Sequence, residues 1–129
     1  MISIKRAYEP PEISDGRRFL VDRLWPRGIP RTALRIEAWL RDLAPSNALR
    51  RAFGHDPAKW SEFRKAYLAE LRAGPPGLQQ LLEAARTGPV TVVYGARDER
   101  HNNAVVVREY LNRRIRPATR SSQSRSGGG

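Results

Sequence analysis

Gly88-Pro89-Val90-Thr91-Val92-Val93-Tyr94-Gly95-Ala96 is the stretch that decides the fold. Five β-branched or aromatic residues stand in a row between glycines, which reads as a strand buried on both faces. Continuous apolar strands belong to parallel sheets covered by helices, whereas one-sided sheets alternate. Upstream, Arg17–Leu24 carries Phe19, Leu20, Val21 and Leu24, a second run of the same kind. Ile2–Tyr8 alternates weakly and is stopped by Glu9-Pro10-Pro11, because proline cannot donate to a ladder.

Between the strands the apolar period changes to that of helices. Ile36, Trp39, Leu40 and Leu43 fall at i, i+3, i+4 and i+7, which predicts a helix ended by Ala44-Pro45. Ser46 is a good N-cap for a short helix that turns Leu49 and Phe53 inward and stops at Gly54. Asp56-Pro57 opens a longer helix with Trp60, Phe63, Tyr67 and Leu71 in one stripe, closed by Gly74-Pro75-Pro76. Leu78, Leu81, Leu82 and Ala85 predict another, and a last one starts near Asn102. The expectation is an α/β fold: a small single domain over residues 1–116, with a short, largely parallel sheet flanked by about five helices. Residues 117–129, PATRSSQSRSGGG, offer nothing apolar beyond Ala and Pro, and are expected to be a disordered Arg/Ser/Gly-rich tail.

Composition narrows the chemistry. A chain of 129 residues without cysteine has neither disulfides nor a thiol nucleophile. No apolar run reaches the roughly 20 residues of a membrane helix, and Met1–Tyr8 lacks a signal-peptide core, so no membrane partner and a cytoplasmic location are expected. The net charge is +11. Such an excess makes nucleic acid a possible partner. However, five arginines lie beyond position 112 and no acid follows Glu109, which leaves residues 1–112 with 19 basic and 13 acidic side chains. That balance is ordinary for a soluble surface.

Ligands of open parallel sheets gather outside the carboxyl ends of the strands. Two polar loops follow strands here, Asp22–Gly28 and Tyr94–Asn103. In the first, Arg23 and Arg27 can grip a small anion bidentately, Trp25 can stack on a ring, and Asp22 can act as general base or pair with an arginine; Gly28 closes the turn. Trp25 packed as core is the plain alternative. In the second, Tyr94, Arg97, Asp98, Asn102 and Asn103 surround His101, whose imidazole can move protons near neutral pH. Free N–H groups at a helix start favour an anion there. The bland reading is that Asp98 or Asn102 only caps the helix and His101 lies in solvent. His55 reads as a local hydrogen-bonding residue, and Arg50 and Arg51 as a solvated face from which one could point to the site. Two histidines 46 positions apart give little support for a metal, although Asp22 or Asp98 could complete a site. No phosphate-loop or dinucleotide fingerprint is present, and no cofactor is indicated.

Together, Lys5-Arg6-x-Tyr8, Asp15-Gly16-x-Arg18-x-Leu20-Val21-Asp22-Arg23-Leu24-Trp25-Pro26-Arg27-Gly28, Pro45-Ser46-x-x-Leu49-Arg50, Tyr67-x-x-Glu70-Leu71, Val93-Tyr94-Gly95-Ala96-Arg97-Asp98 and His101-Asn102-Asn103-Ala104-Val105-Val106 form a specific string. It resembles the YeaO-like branch of the family called domain of unknown function 488, over roughly residues 3–112. The resemblance implies an α/β fold with both loops at one site. The candidates it carries are Asp22, Arg23, Trp25, Pro26, Arg27, Gly28, Tyr94, Arg97, Asp98, His101, Asn102 and Asn103. Asp22 and His101 would handle protons, and the others would bind a nucleotide- or phosphate-like anion. Other branches carry Cys-His-Arg where this chain has His101-Asn102-Asn103, so no cysteine-dependent reaction transfers. The alternative function is a non-catalytic nucleic-acid-binding module that uses the Arg-rich surface and tail.

Overall fold

In the computed structural model, residues 1–124 are described, with side chains to Ile115. The side chains of the expected tail lie outside the described residues.

Four strands form one parallel sheet in the order β1-β4-β2-β3: β1 is Ile2–Arg6, β2 Arg17–Leu20, β3 Ala38–Trp39 and β4 Val90–Tyr94. The quoted stretch is therefore the inner strand that joins the two N-terminal ones. Ile2 pairs with Val90 and Arg6 with Tyr94; on the other side Arg17 pairs with Val90 and Leu20 with Val93. All five β4 residues are buried, as the unbroken apolar run requires.

Helices α1 (Arg31–Leu34), α2 (Asn47–Phe53), α3 (Trp60–Arg72), α4 (Leu78–Thr87) and α5 (Asn103–Ser124) complete the chain. Successive strand residues alternate between two cores. Phe19, Val21, Val90, Val92 and Tyr94 face α2–α5 in the main core, with Tyr67, Leu71, Leu81 and Leu111. Leu20 and Val93 point the other way, into a smaller cluster with Ala7 and Leu34 that is roofed by Trp25, Ile29, Ile36 and Trp39. The caps follow the local chemistry. Ser46 Oγ accepts from Leu49 N, the Asp56 carboxylate accepts from Ala58 N, and Gly54 ends α2 in the left-handed region.

The helix expected across Ile36–Leu43 is absent. Arg35, at φ 50°, breaks the chain out of α1. Ala38 and Trp39 then pair with Phe19 and Leu20, and Arg41–Leu43 forms a 3-10 turn. The i, i+3, i+4, i+7 spacing misled because its members split between two cores. Ile36 and Trp39 pack in the smaller one, Leu40 and Leu43 in the larger.

Around the start of β2 sits a buried ion cluster that Lys5 of β1 joins. Asp15 and Arg18 are 8% and 4% exposed and pair at 2.7 Å, while Lys5 Nζ lies 3.1 Å from the same carboxylate. Arg18 also donates through Nε and Nη2 to Leu34 O, which ties β2 to the end of α1. Burial alone would raise the Asp15 carboxyl; the Glu12 N–H, Lys5 and Arg18 outweigh it and hold it below the ordinary value.

Candidate functional site

Both polar loops leave the same, carboxyl-terminal edge of the sheet, because β2 and β4 are adjacent and parallel. Between them lies a cleft of about 200 Å³. One wall is Asp22, Arg23 and Leu24, just past β2; the facing wall is Ala96 with His101, Asn102 and Asn103 at the start of α5. Ala44 and Pro45 form its floor with Arg50, Phe53 and His55 from α2 and its exit, and Phe63 comes from α3.

Asp22 joins the two loops. Its Oδ2 accepts from Gly95 N at 2.8 Å and its Oδ1 from Asn103 Nδ2 at 3.0 Å. The same Asn103 amide donates to Val21 O, and Trp39 Nε1 donates to Asp22 O. A Cβ on Gly95 would stand 3.0 Å from the carboxylate, so the close approach calls for glycine. Burial raises the Asp22 carboxyl above its ordinary value, against the two hydrogen bonds that favour the ionised form. The site thus holds a carboxyl that is reluctant to ionise, a property shared by many proton-handling groups.

Arg23 reaches under this wall. Its Nη2 donates to Pro45 O at 3.3 Å, while Nε is buried with no hydrogen-bond partner. A buried guanidinium N–H without an acceptor is rare and demands a reason. Arg50 lines the cleft from α2 and donates to Asn47 Oδ1.

His101 is fixed from behind. Asp98 Oδ1 accepts from the N–H groups of Arg100 and His101, and its Oδ2 lies 2.9 Å from His101 Nδ1. The Arg100 N–H is the largest of the contacts that hold the Asp98 carboxyl below the usual range, ahead of the imidazole. With Nδ1 committed, Nε2 is the nitrogen left to meet a ligand. The indole of Trp60 sets the ring edge-on at 5.2 Å. Asn102, buried at 3%, caps α5 through Oδ1 to Val105 N and donates to Asp98 O. Asn102 is thus the helix cap that the bland reading allowed, while Asp98 closes the turn ahead of α5, and together they place His101 in the cleft.

Of the sequence candidates, Asp22, Arg23, His101, Asn102 and Asn103 come together, with Asp98 behind His101. Trp25, Arg27, Gly28, Tyr94 and Arg97 are not in the cleft lining. Trp25 packs edge-on against Trp39 at 5.4 Å in the smaller core, its Nε1 donates to Ile29 O, and the Arg31 guanidinium covers its ring at 4.5 Å. It is held by the protein and is not free to stack on a ligand at the cleft. Arg27 is exposed and supplies its carbonyl to Tyr8 Oη. Gly28 turns the chain at φ 81°, and Arg97 lies exposed in its loop. Tyr94 is 2% exposed and belongs to the main core.

His55, read from sequence as a local group, lines the cleft and so brings the chain's second histidine to it. Its φ of 57° places a non-glycine residue in the left-handed region beside Gly54. The signal available in the sequence was the Gly54-His55-Asp56-Pro57 corner, where strained backbone is common. Arg50 and the apolar members Phe53, Phe63 and Leu24 were also missed as site residues. Among the described residues no group of three or more His, Asp or Glu is placed to hold a metal ion, and no helix is long and apolar enough to cross a membrane.

Fold and cleft together define a small α/β domain with a cleft at the carboxyl ends of its parallel strands. Residues 1–127 match the family described as the inactive DUF488-N3 subclade, and the chain belongs to that family. It is 42% identical over 110 residues to the uncharacterised protein YeaO of Escherichia coli K12, covering 85% of this chain and 96% of that one. It is 35% identical over 113 residues to the uncharacterised protein Rv3073c of Mycobacterium tuberculosis H37Rv, covering 88% and 95%. No solved structure matches it.

Proposed function

We propose that this chain is a cytoplasmic protein that binds a small anionic ligand in the cleft between the Asp22–Leu24 and Ala96–Asn103 segments. The observation that carries the reading is the Arg23 guanidinium in the cleft lining, which the protein holds only through Nη2 to Pro45 O while its enclosed Nε finds no acceptor. Arg50, His55 and His101 add cationic or donor groups at the same cleft. Asp22, with its raised carboxyl, and His101, oriented by Asp98, hold and exchange protons with the ligand. The family's description as inactive, together with a chain free of cysteine, supports binding rather than turnover. The cysteine-free sequence also suits the reducing cytoplasm.

The test is thermal shift of the full chain against a panel of carboxylates, phosphates, nucleosides and nucleotides, with Arg50→Ala in parallel. Ligand stabilisation grows with concentration over Kd. A ligand whose stabilisation falls at least tenfold in apparent affinity in Arg50→Ala supports the cleft. Binding confined to long nucleic acid, weakening steeply with salt, would replace this reading with the nucleic-acid module.

A further inference from the structure

The cleft's size, lining and charge define a class of ligand more narrowly than "anion". About 200 Å³ equals some seven waters at roughly 30 Å³ each, which suits a molecule on the order of ten non-hydrogen atoms.

The lining is mostly carbon: Phe53, Phe63, Leu24 and Pro45 supply it, and Phe53 and Phe63 are stacked on each other at 4.4 Å. Such walls ask for an apolar body, flat or branched, and leave few places for the hydroxyls of a sugar. The polar groups are few and directional. Arg23 lines the cleft with a planar guanidinium that the protein holds only through Nη2 to Pro45 O, and such a group meets the in-plane oxygens of a carboxylate. His101 offers the nitrogen not bound to Asp98.

Asp22 sets the charge. It sits in the same wall as Arg23, buried and joined to Gly95 and Asn103, so it repels a second negative charge in a medium where Coulomb terms are strong. A monoanion therefore meets less repulsion from the Asp22 side than a phosphate dianion does, and the arginines offset it more fully.

Resting on the reading of the cleft as a ligand site, we infer that its occupant is a compact monocarboxylate with a flat or branched apolar body, held by Arg23, and not a nucleotide or sugar phosphate. The full chain is titrated by calorimetry with benzoate, 2-furoate and isovalerate, with benzamide as the uncharged counterpart, and with AMP, ribose 5-phosphate and inorganic phosphate. At least one carboxylate binds, its affinity at least tenfold above that of benzamide and of every phosphate. Arg23→Lys, which keeps the charge but loses the planar guanidinium, weakens it at least tenfold, and so does Arg50→Ala, an exposed change that spares the core. Asp22→Asn keeps an acceptor for Gly95 and raises affinity for the phosphates at least tenfold.

Binding of phosphates without carboxylates overturns the inference and leaves the ligand site standing. Silence across all the probes overturns both. A carboxylate bound equally well by Arg23→Lys removes Arg23 as its anchor and overturns the inference.

Discussion

Replacing Asp15 by Asn tests the ion cluster around the start of β2. The carboxylate accepts from Arg18 Nη1 at 2.7 Å, from Lys5 Nζ at 3.1 and 3.2 Å, and from Glu12 N at 3.0 Å. Asn keeps the shape and one acceptor but strands the Arg18 guanidinium, 4% exposed, without its counter-charge. Breaking a buried pair from one side typically costs 3–5 kcal/mol. The lower end applies here, about 3 kcal/mol, because Lys5 also reaches Glu12, whose side chain is 64% exposed. For a domain of this size that is a fall in Tm of roughly 10–15 °C. The pH dependence gives a second handle. Asp15 is held below its ordinary value, so its contribution is complete above the unfolded carboxyl's pKa and disappears as pH falls through the folded one. Urea unfolding of both proteins at pH 7 and at descending pH is the assay. The gap is full at pH 7, begins to narrow below about pH 4 as the unfolded carboxyl takes up its proton, and closes only once pH has fallen through the lower folded value, where the protonated wild-type carboxyl resembles the amide. A loss under about 1 kcal/mol at pH 7, or a gap indifferent to pH, refutes the reasoning. With Arg18→Met added, the double mutant should lose less than the sum of the two single losses.

Three further outcomes follow. Gly16→Ala places a Cβ 2.3 Å from Pro89 O at φ 67°, a clash with backbone, and should destabilise by more than about 3 kcal/mol, read as loss of cooperative melting. His55→Gly relieves a left-handed non-glycine residue, so Tm should rise slightly, by the equivalent of up to about 1 kcal/mol, while ligand stabilisation at the cleft falls; a lower Tm would mean that the imidazole packs structurally. Asp22 is held above its ordinary value, so its ionisation opposes folding as pH rises from the unfolded pKa through the folded one. The wild type should therefore lose stability relative to Asp22→Asn over that interval, and a constant difference in denaturation midpoint would contradict it.

The sequence made the inner strand legible because Val90–Tyr94 admits few other readings, and the caps at Ser46 and Asp56 were equally plain because a side-chain oxygen followed by helix formers has a local cause. Local rules failed at Ala38–Trp39. A two-residue strand leaves no periodicity, and it exists because Leu20 and Phe19 supply a partner. At the site, Asp22, Arg23 and His101 could be paired on the assumption of parallel strands alone. Trp25 could not be placed, since the turn after β2 carries it to the opposite face, where Trp39 and Arg31 enclose it. Arg50 and His55 reach the cleft through the angle at which α2 crosses Phe63, a tertiary relation that spacing does not encode.

The position of β4 between β1 and β2 has a bearing on how the chain is made. A ribosome releases both flanking strands long before Val90–Tyr94 exists, so β1 has no partner, and β2 has only β3, while most of the protein emerges. Every ladder bond of β1 waits for a segment some 88 positions later. Sheet closure must therefore follow completion of most of the chain, by slow, non-local pairing. Until then the unpaired edges are exposed to other nascent chains and are the natural cargo of a holding chaperone.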